Sequence, residues 1–389
     1  VPHIFGETDE DVYYALGYAH AQDRLWQMTM LRRTAQGRLS ELFGTATVEI
    51  DTLVRRLDIY ALSVASLEAQ DPKTMRILQA YATGVNARLD QVNLQALGRG
   101  APEMFLFNAP VAPWRPADTL AIVKLMGLRL SGHLDNEVLR ARMSLAVTDQ
   151  DRLQDILPDA PGSGVAALPE YASLFPSVPR FAENTSGEKH PLSPFGPSIF
   201  KGASNVWAAA PSRSATGSTL LANDPHLGFS TPAIWYLARI ELQSGGVIGG
   251  TIPGMPAILS GRSADLGWGL ASAGLDDQDV FIEEVNPDNP EEYRTPTGFK
   301  AFETRKSIIN IKDETPITIT QRWTDNGPVL PGSFYDLGTI TPAGHVAALS
   351  WTVLSPNDTS LAAALRLMDA KSVEDGFAAI EAYVAPAQN

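Results

Sequence analysis

There is no cysteine among the 389 residues. A thiolate nucleophile, a thiolate-ligated metal and a disulfide framework are thereby excluded together. Positive charge is scarce as well: 30 Lys and Arg stand against 44 Asp and Glu, a formal net charge of −14. So acidic a chain offers no basic face for nucleic acid or for an anionic membrane surface. No run of 18 apolar residues occurs, and no membrane-spanning helix is expected. The chain opens on VPHIFGETDEDVYY, without a basic region or an apolar signal core. It reads as starting in mid-stream, after removal of a secretion signal or as a fragment. The common catalytic signatures are missing too. There is no Gly-x-Ser-x-Gly elbow, no Walker loop, and no Gly-x-Gly-x-x-Gly after a strand. The six histidines, His3, His20, His133, His190, His226 and His345, are too scattered to point to a catalytic zinc site.

What is present suffices for a sizeable core: 44% of residues are hydrophobic and only 19% charged. The first stretch reads as helical. Thr8 and Asp11 form a capping-box pattern, followed by Val12, Leu16, Ala19, Trp26 and Met30 near helical period. GRLSELFG predicts a short helix closed by Gly44. Further helices are predicted at Ala61–Ala69, at Pro72–Gln91, from Pro116 with a cap at Asp118, and over Asn136–Ala146. From about Pro158 to Lys201, Pro, Gly and Ser are dense and no period survives, which is long for a loop inside a compact domain. After Gly202 the texture is β. NVWAAAP, STLLAND, AIWYLARIEL, GVIGGTI and AILSGR are short strand-like runs split by turn residues. Lys306–Thr320 alternates, His345–Leu354 is a further apolar run, and Ser360–Tyr383 returns to helix. That order predicts an α+β chain with stacked layers rather than alternating βαβ units.

Two stretches invite a chemical reading. In GLDDQDVF, the carboxylates of Asp276, Asp277 and Asp279 repel one another unless solvated or bound to a cation. Asp276, the carbonyl of Gln278 and Asp279 are oxygen donors of the kind calcium takes; a solvated turn is the alternative. In FKGASNVW, Ser204 has neither a flanking elbow nor a nearby histidine to activate it.

The blocks GASNVWAAAPSRSATGSTLLANDPHLG, GTIPGMPAILSGR, LGWGLASAGLDDQDVF, NGPVL and ALSWTVLSPND resemble the penicillin acylase family of N-terminal-nucleophile hydrolases. The opening VPHIFGETDEDVYYALGYAHAQDRLWQMTMLRR with GRLSELFG is similar to the start of that family's α chain. The blocks run in the family's order over nearly the whole chain. The resemblance implies an αββα four-layer sandwich with antiparallel sheets and a helical α segment wrapped around the β segment. It also implies three parts: residues 1–160 as α segment, 161–203 as an excised spacer, and 204–389 as the N-terminal part of a β chain. The two chains of one precursor would form a heterodimer acting on a small N-acyl amide.

The implied mechanism accounts for the missing histidine. Autocleavage of the Ala203–Ser204 bond would free the α-amine of Ser204, whose pKa of about 7.7–8.0 suits a base near neutral pH. The same residue would then be nucleophile and base, forming an acyl-enzyme. Many relatives carry Gly where Ala203 stands; Ala is also small. One oxyanion donor matches the backbone N–H of Ser272. The second, a distal asparagine, is expected beyond residue 389, and the sequence reads as truncated at both ends. His226 matches a position that supports the nucleophile, with a structural turn histidine as the alternative. Glu137, in HLDNEVLRA, matches the α-chain carboxylate that completes a structural calcium site with Asp276, Gln278 and Asp279. Leu130, Leu227 and Ser260 match positions that carry aromatic rings where the acyl group is aromatic, which implies a wider or more aliphatic slot. Arg129 matches an arginine at the pocket mouth, placed to meet a carboxylate, or is an exposed helix arginine. The acyl-homoserine-lactone acylases are the near alternative; they generally lack the Asp-Asp-x-Asp cluster. An unprocessed, non-catalytic homologue is the alternative of another class. Processing of this kind implies a periplasmic or secreted protein, with no organic cofactor.

Overall fold

A computed structural model describes residues 1–94, 100–107, 111–131, 133–147, 149–156, 171–175, 204–227, 230–273 and 275–386. Helices occupy the chain up to residue 156, strands dominate from residue 204, and helix returns at residue 360. The α+β class with largely antiparallel sheets is as expected.

Helix α1 (Asp9–Ala35) starts where its cap predicts. Thr8 Oγ1 accepts from Asp11 N at 3.2 Å, and Asp11 Oδ2 accepts from Thr8 N at 3.0 Å. The box satisfies two donors that the first turn leaves open. Next come α2 (Ser40–Phe43), α3 (Val48–Arg56), α4 (Ile59–Ala65) and α5 (Pro72–Asn93), the last with Asp71 as cap and Pro72 in its first turn. Helices α1 and α5 pack so closely that no Cβ fits between them at two points. A Cβ on Gly17 would lie 2.2 Å from Tyr81 O, and one on Gly84 would lie 1.8 Å from Tyr14 O. Helix α6 (Pro116–Leu130) is buried from Ala117 to Gly127, as a helix apolar on nearly all sides must be. Inside it, Lys124 Nζ donates to Val353 O (2.8 Å), Ser355 O (2.9 Å) and Asp358 Oδ2 (3.0 Å). Helices α7 (His133–Ala146) and α8 (Gln150–Ile156) follow; α9 (Ser360–Asp369) and α10 (Val373–Ile380) lie after the strands.

Strands β1 (His3–Ile4), β4 (Tyr236–Leu242), β5 (Gly245–Thr251), β6 (Ser260–Arg262) and β7 (Gly267–Trp268) form one sheet in that order. Only β1 joins in parallel, with His3 opposite Arg239 and Ile4 opposite Ile240. A second sheet runs β11 (Glu303–Ile309), β12 (Ile317–Thr324), β13 (Gly327–Leu330), β14 (His345–Trp351), β8 (Gln278–Glu284). The alternating run Lys306–Thr320 is therefore a hairpin and not one strand: Ile309 faces Ile317 across its turn, so the alternation continues in phase. Strands β9 (Glu292–Thr295) and β10 (Gly298–Ala301) make one two-stranded hairpin, and β2 (Ser204–Ala209) with β3 (Leu220–Pro225) makes another.

The two halves share one core, in which Leu16, Leu78 and Ile122 belong to the same cluster as Ile240, Ile258 and Leu365. Helix α1 packs on β4, α3 on β11 to β13, and α7 on β8. Within residues 158–201, only 171–175 are described. There Tyr171 packs against the core and its hydroxyl donates to Ile340 O at 2.6 Å. Among the described residues, no helix is long and apolar enough to cross a membrane.

Candidate active site

Ser204 is the first residue of β2, half-buried, and Ala203 before it lies outside the described residues. The hairpin sets Ser204 opposite Pro225, Asn205 opposite Asp224 and Val206 opposite Asn223. His226 therefore follows directly on the residue that faces Ser204. Its Nε2 lies 2.7 Å from Asp224 Oδ2, and both side chains are exposed. Among the described residues no hydrogen bond joins His226 to Ser204. The proximity comes from strand register; the orientation of the ring is set by Asp224.

Asn223, inside the strand-like run STLLAND and not among the predicted site residues, is the connecting residue of this region. Its Nδ2 donates to Asn205 O (3.1 Å) and to Leu270 O (2.9 Å). Its Oδ1 accepts from Ser260 Oγ (2.8 Å) and from Leu270 N (3.2 Å). The amide orientation is fixed by these partners, since carbonyls only accept and a backbone N–H only donates. A Cβ on Gly269 would lie 2.8 Å from Asn223 Cβ, so only glycine lets the loop come this close. Asn is depleted in strands; an Asn inside LLANDP was the available signal that its side chain has work beyond the ladder.

The other predicted residues fall into two neighbourhoods. Arg129, near the end of α6, donates from Nη2 to Leu227 O at 2.8 Å, and burial lowers its pKa. This bond joins two of the predicted substrate positions, Arg129 and Leu227. Leu130 and Leu227 are half-buried. Ser260 is half-buried too, with its hydroxyl engaged by Asn223. Ser272 is exposed, two residues beyond Leu270, whose N–H and C=O are both held by Asn223.

Glu137 of α7 faces the acidic loop. Burial and then the charges of Asp276 and Asp279 push its carboxyl up to about 7. Asp279 is raised as well, by burial and by Asp276. These three carboxylates thus feel one another, yet among the described residues no group of three His, Asp or Glu side chains stands close enough to hold a metal ion. Gln278 is buried and its Oε1 accepts from Leu134 N at 2.7 Å, capping the start of α7. Asp277 turns the other way: its Oδ2 accepts from Ser131 Oγ (3.2 Å), Trp351 Nε1 (3.3 Å) and Thr352 Oγ1 (3.4 Å). Asp277 was read as one of three repelling charges; instead it ties the end of α6 to β14.

A separate cavity of about 750 Å³ lies over the second sheet, lined in part by Arg56, Glu291, Arg322 and His345. None of the predicted site residues borders it.

Acyl-homoserine lactone acylase QuiP of Pseudomonas aeruginosa is 30% identical over 390 residues, covering 97% of this chain and 45% of that protein. Penicillin acylase 2 proenzyme of a Pseudomonas species is 31% identical over 344 residues, 85% of this chain and 42% of its own length. Penicillin G acylase of Escherichia coli is 26% identical over 376 residues, with coverages of 85% and 44%. The chain therefore spans less than half the length of these curated relatives. Among solved structures, the thermostable penicillin G acylase of Alcaligenes faecalis aligns over 46% of this chain and 31% of its own, with 24% identity and a TM-score of 0.42. The penicillin amidase family profile matches residues 1–389, and the chain belongs to that family.

Proposed function

We propose that this chain carries the nucleophile of an acylase that hydrolyses the linear amide of a small N-acyl compound. The observation that supports it most is the position of Ser204: the first residue of β2, in register with Pro225 and next to His226, within a chain matched by the family profile throughout. Cleavage of the Ala203–Ser204 bond would make Ser204 a terminus. Its α-amine takes the hydroxyl proton, through a water, as Oγ attacks the amide carbonyl. The tetrahedral oxyanion is met by the Ser272 N–H. The C–N bond breaks, the amine departs with the proton, and water hydrolyses the ester to release the acid and restore Ser204. Asp224 holds His226 beside the terminus.

Residues 1 to about 175 would then be the α chain and residues from 204 the β chain, a heterodimer held by the shared core. The anchoring of Tyr171 on Ile340 favours an excised segment that begins after Phe175. Glu137, Asp276, Asp279 and the carbonyl of Gln278 are oxygen donors suited to calcium, and the mutual repulsion of the carboxylates is what a cation would relieve. The ion would join α segment to β segment and take no part in the chemistry. Leu130, Leu227 and the aliphatic stem of Arg129 favour an aliphatic acyl group over a phenyl ring. Processing of this type fits the periplasm or secretion.

A second reading, an acyl-homoserine lactone acylase, is favoured by the 97% coverage against such a relative. Release of free amine from a panel of phenylacetyl, glutaryl and long-chain acyl amides, including acyl-homoserine lactones, separates the two. The test of the mechanism is mass spectrometry of the purified product: a fragment beginning at Ser204 is expected, and Ser204→Ala is expected to stay uncut. A wild-type chain that stays whole and releases no amine would overturn the proposal.

A further inference from the structure

We infer that Asn223 is a positioning residue that sets Ser204 against the backbone carrying the Ser272 N–H. The inference deepens the proposed function and rests on it for the identity of the nucleophile. Strands β2 and β3 form a sheet of two, joined to neither larger sheet by a ladder among the described residues. A hairpin of this kind is marginal by itself. Its apolar side chains do little to seat it: Trp207 is 60% exposed, Leu220 52% and Leu221 40%. The four hydrogen bonds of Asn223 supply the connection. One reaches the carbonyl of Asn205, the residue after the nucleophile; two hold the N–H and C=O of Leu270; one engages Ser260 on β6. The side-chain amide has two donor and two acceptor sites, and all four are used. Gly269 completes the device by leaving room for the approach. Nucleophile strand, oxyanion loop and strand β6 of the first sheet are thus pinned to a single planar group. Ser260 acts here through its hydroxyl, as one of the pins.

The test compares Asn223→Ala, Asn223→Asp and Ser260→Ala in the full chain. Asn223→Asp is nearly isosteric and keeps both acceptors but loses both donors. Hydrogen exchange followed by mass spectrometry reads the tether directly. Peptides covering 204–209 and 267–273 should exchange at least about tenfold faster in Asn223→Ala, with the α1–α5 peptides unchanged. On the substrate the wild type turns over best, kcat should fall about 10- to 100-fold with KM within about twofold, the signature of misplaced reacting groups rather than lost binding. Ser260→Ala should give a smaller drop that disappears in the Asn223→Ala background. If Asn223→Ala does not fold, Asn223→Asp and Ser260→Ala carry the same comparison. Unchanged exchange at 267–273, or a fall that lies wholly in KM, overturns the inference. A wild type inactive on every amide overturns the proposed function instead, and the exchange comparison still decides the role of Asn223.

Discussion

Acid should destabilise this fold through one buried imidazole. His20 is fully buried on α1, its Nδ1 2.7 Å from Tyr81 OH. The Tyr81 hydroxyl oxygen also accepts from Gly254 N at 2.9 Å; with its hydrogen turned to Nδ1, the neutral ring accepts there. The proton of the neutral ring is then on Nε2, which has no hydrogen-bond partner; the His20 and Tyr236 rings lie nearly perpendicular, with centroids 4.7 Å apart. Burial, and secondarily the charge of Arg24, lower the pKa from 6.5 to about 3. The unfolded chain therefore binds a proton at His20 that the folded chain refuses. The stabilisation is complete above pH 6.5 and is lost as pH falls towards 3. At 1.36 kcal/mol per unit, the share lost between pH 7.5 and pH 5 is about 2 kcal/mol. Other groups titrate over the same range, so the comparison is with His20→Gln, which can still accept from Tyr81 but does not ionise. Urea midpoints at both pH values should show the wild type losing about 2 kcal/mol more than the variant. Parallel losses in the two proteins would refute the proton assignment and the linkage drawn from it.

Gly84→Ala should destabilise by about 1–3 kcal/mol or more, since its Cβ would stand 1.8 Å from Tyr14 O and the α1–α5 pair must part to admit it; a lowered urea midpoint at unchanged slope is the expected reading. Lys124→Met leaves Asp358 buried without its cation and should cost about 3–5 kcal/mol, with much of the loss recovered when Asp358→Asn is added; an additive pair of losses would refute the coupling. Glu137 makes the calcium reading testable in solution. Its carboxyl is raised from 4.5 to about 7, so its ionisation in the folded state erodes stability as pH rises through that interval. At pH 8, calcium should raise the melting temperature of the wild type and do so less for Glu137→Gln, which in chelator should be no less stable than the wild type. A wild-type melting temperature indifferent to calcium and chelator would count against the site.

Local rules were legible in the sequence where the physics is local. The Thr8 box and the Pro116 start act within one helical turn, and each appears where its residues predict. Boundaries slipped where distant partners decide them. The helix predicted over Ala61–Ala69 starts two residues earlier and stops at Ala65, beyond which the chain turns; there Gln70 Nε2 reaches Asp358 O at 2.7 Å. Strand β1 has two residues and no pattern of its own; its partner lies in β4, on the other side of the loose segment. Ser204 and the residues near it were named by resemblance, and the structure sets Ser204, Pro225 and His226 close together by strand register. The roles of Asn223 and Asp277 were not legible, because each bonds to groups more than 35 residues away in sequence: Leu270 and Ser260 for one, Ser131 and Trp351 for the other.

Those long-range bonds bear on how a chain cut before Ser204 would hold its site. Cleavage there would turn residue 204 from an internal position on β2 into a free end, and free ends fray. Strand register alone gives Ser204 only Pro225 as a neighbour, and proline has no backbone N–H to donate. The first backbone group after Ser204 that a side chain holds is the carbonyl of Asn205, bonded by Asn223 of the facing strand, whose amide is in turn tied to Leu270 and Ser260 outside the hairpin. The α segment contributes independently, since Arg129 at the end of α6 fixes the carbonyl of Leu227 just after His226. A terminal nucleophile in this fold would therefore be steadied from both halves of the sequence, which argues that α and β segments must stay associated for the serine to keep its place.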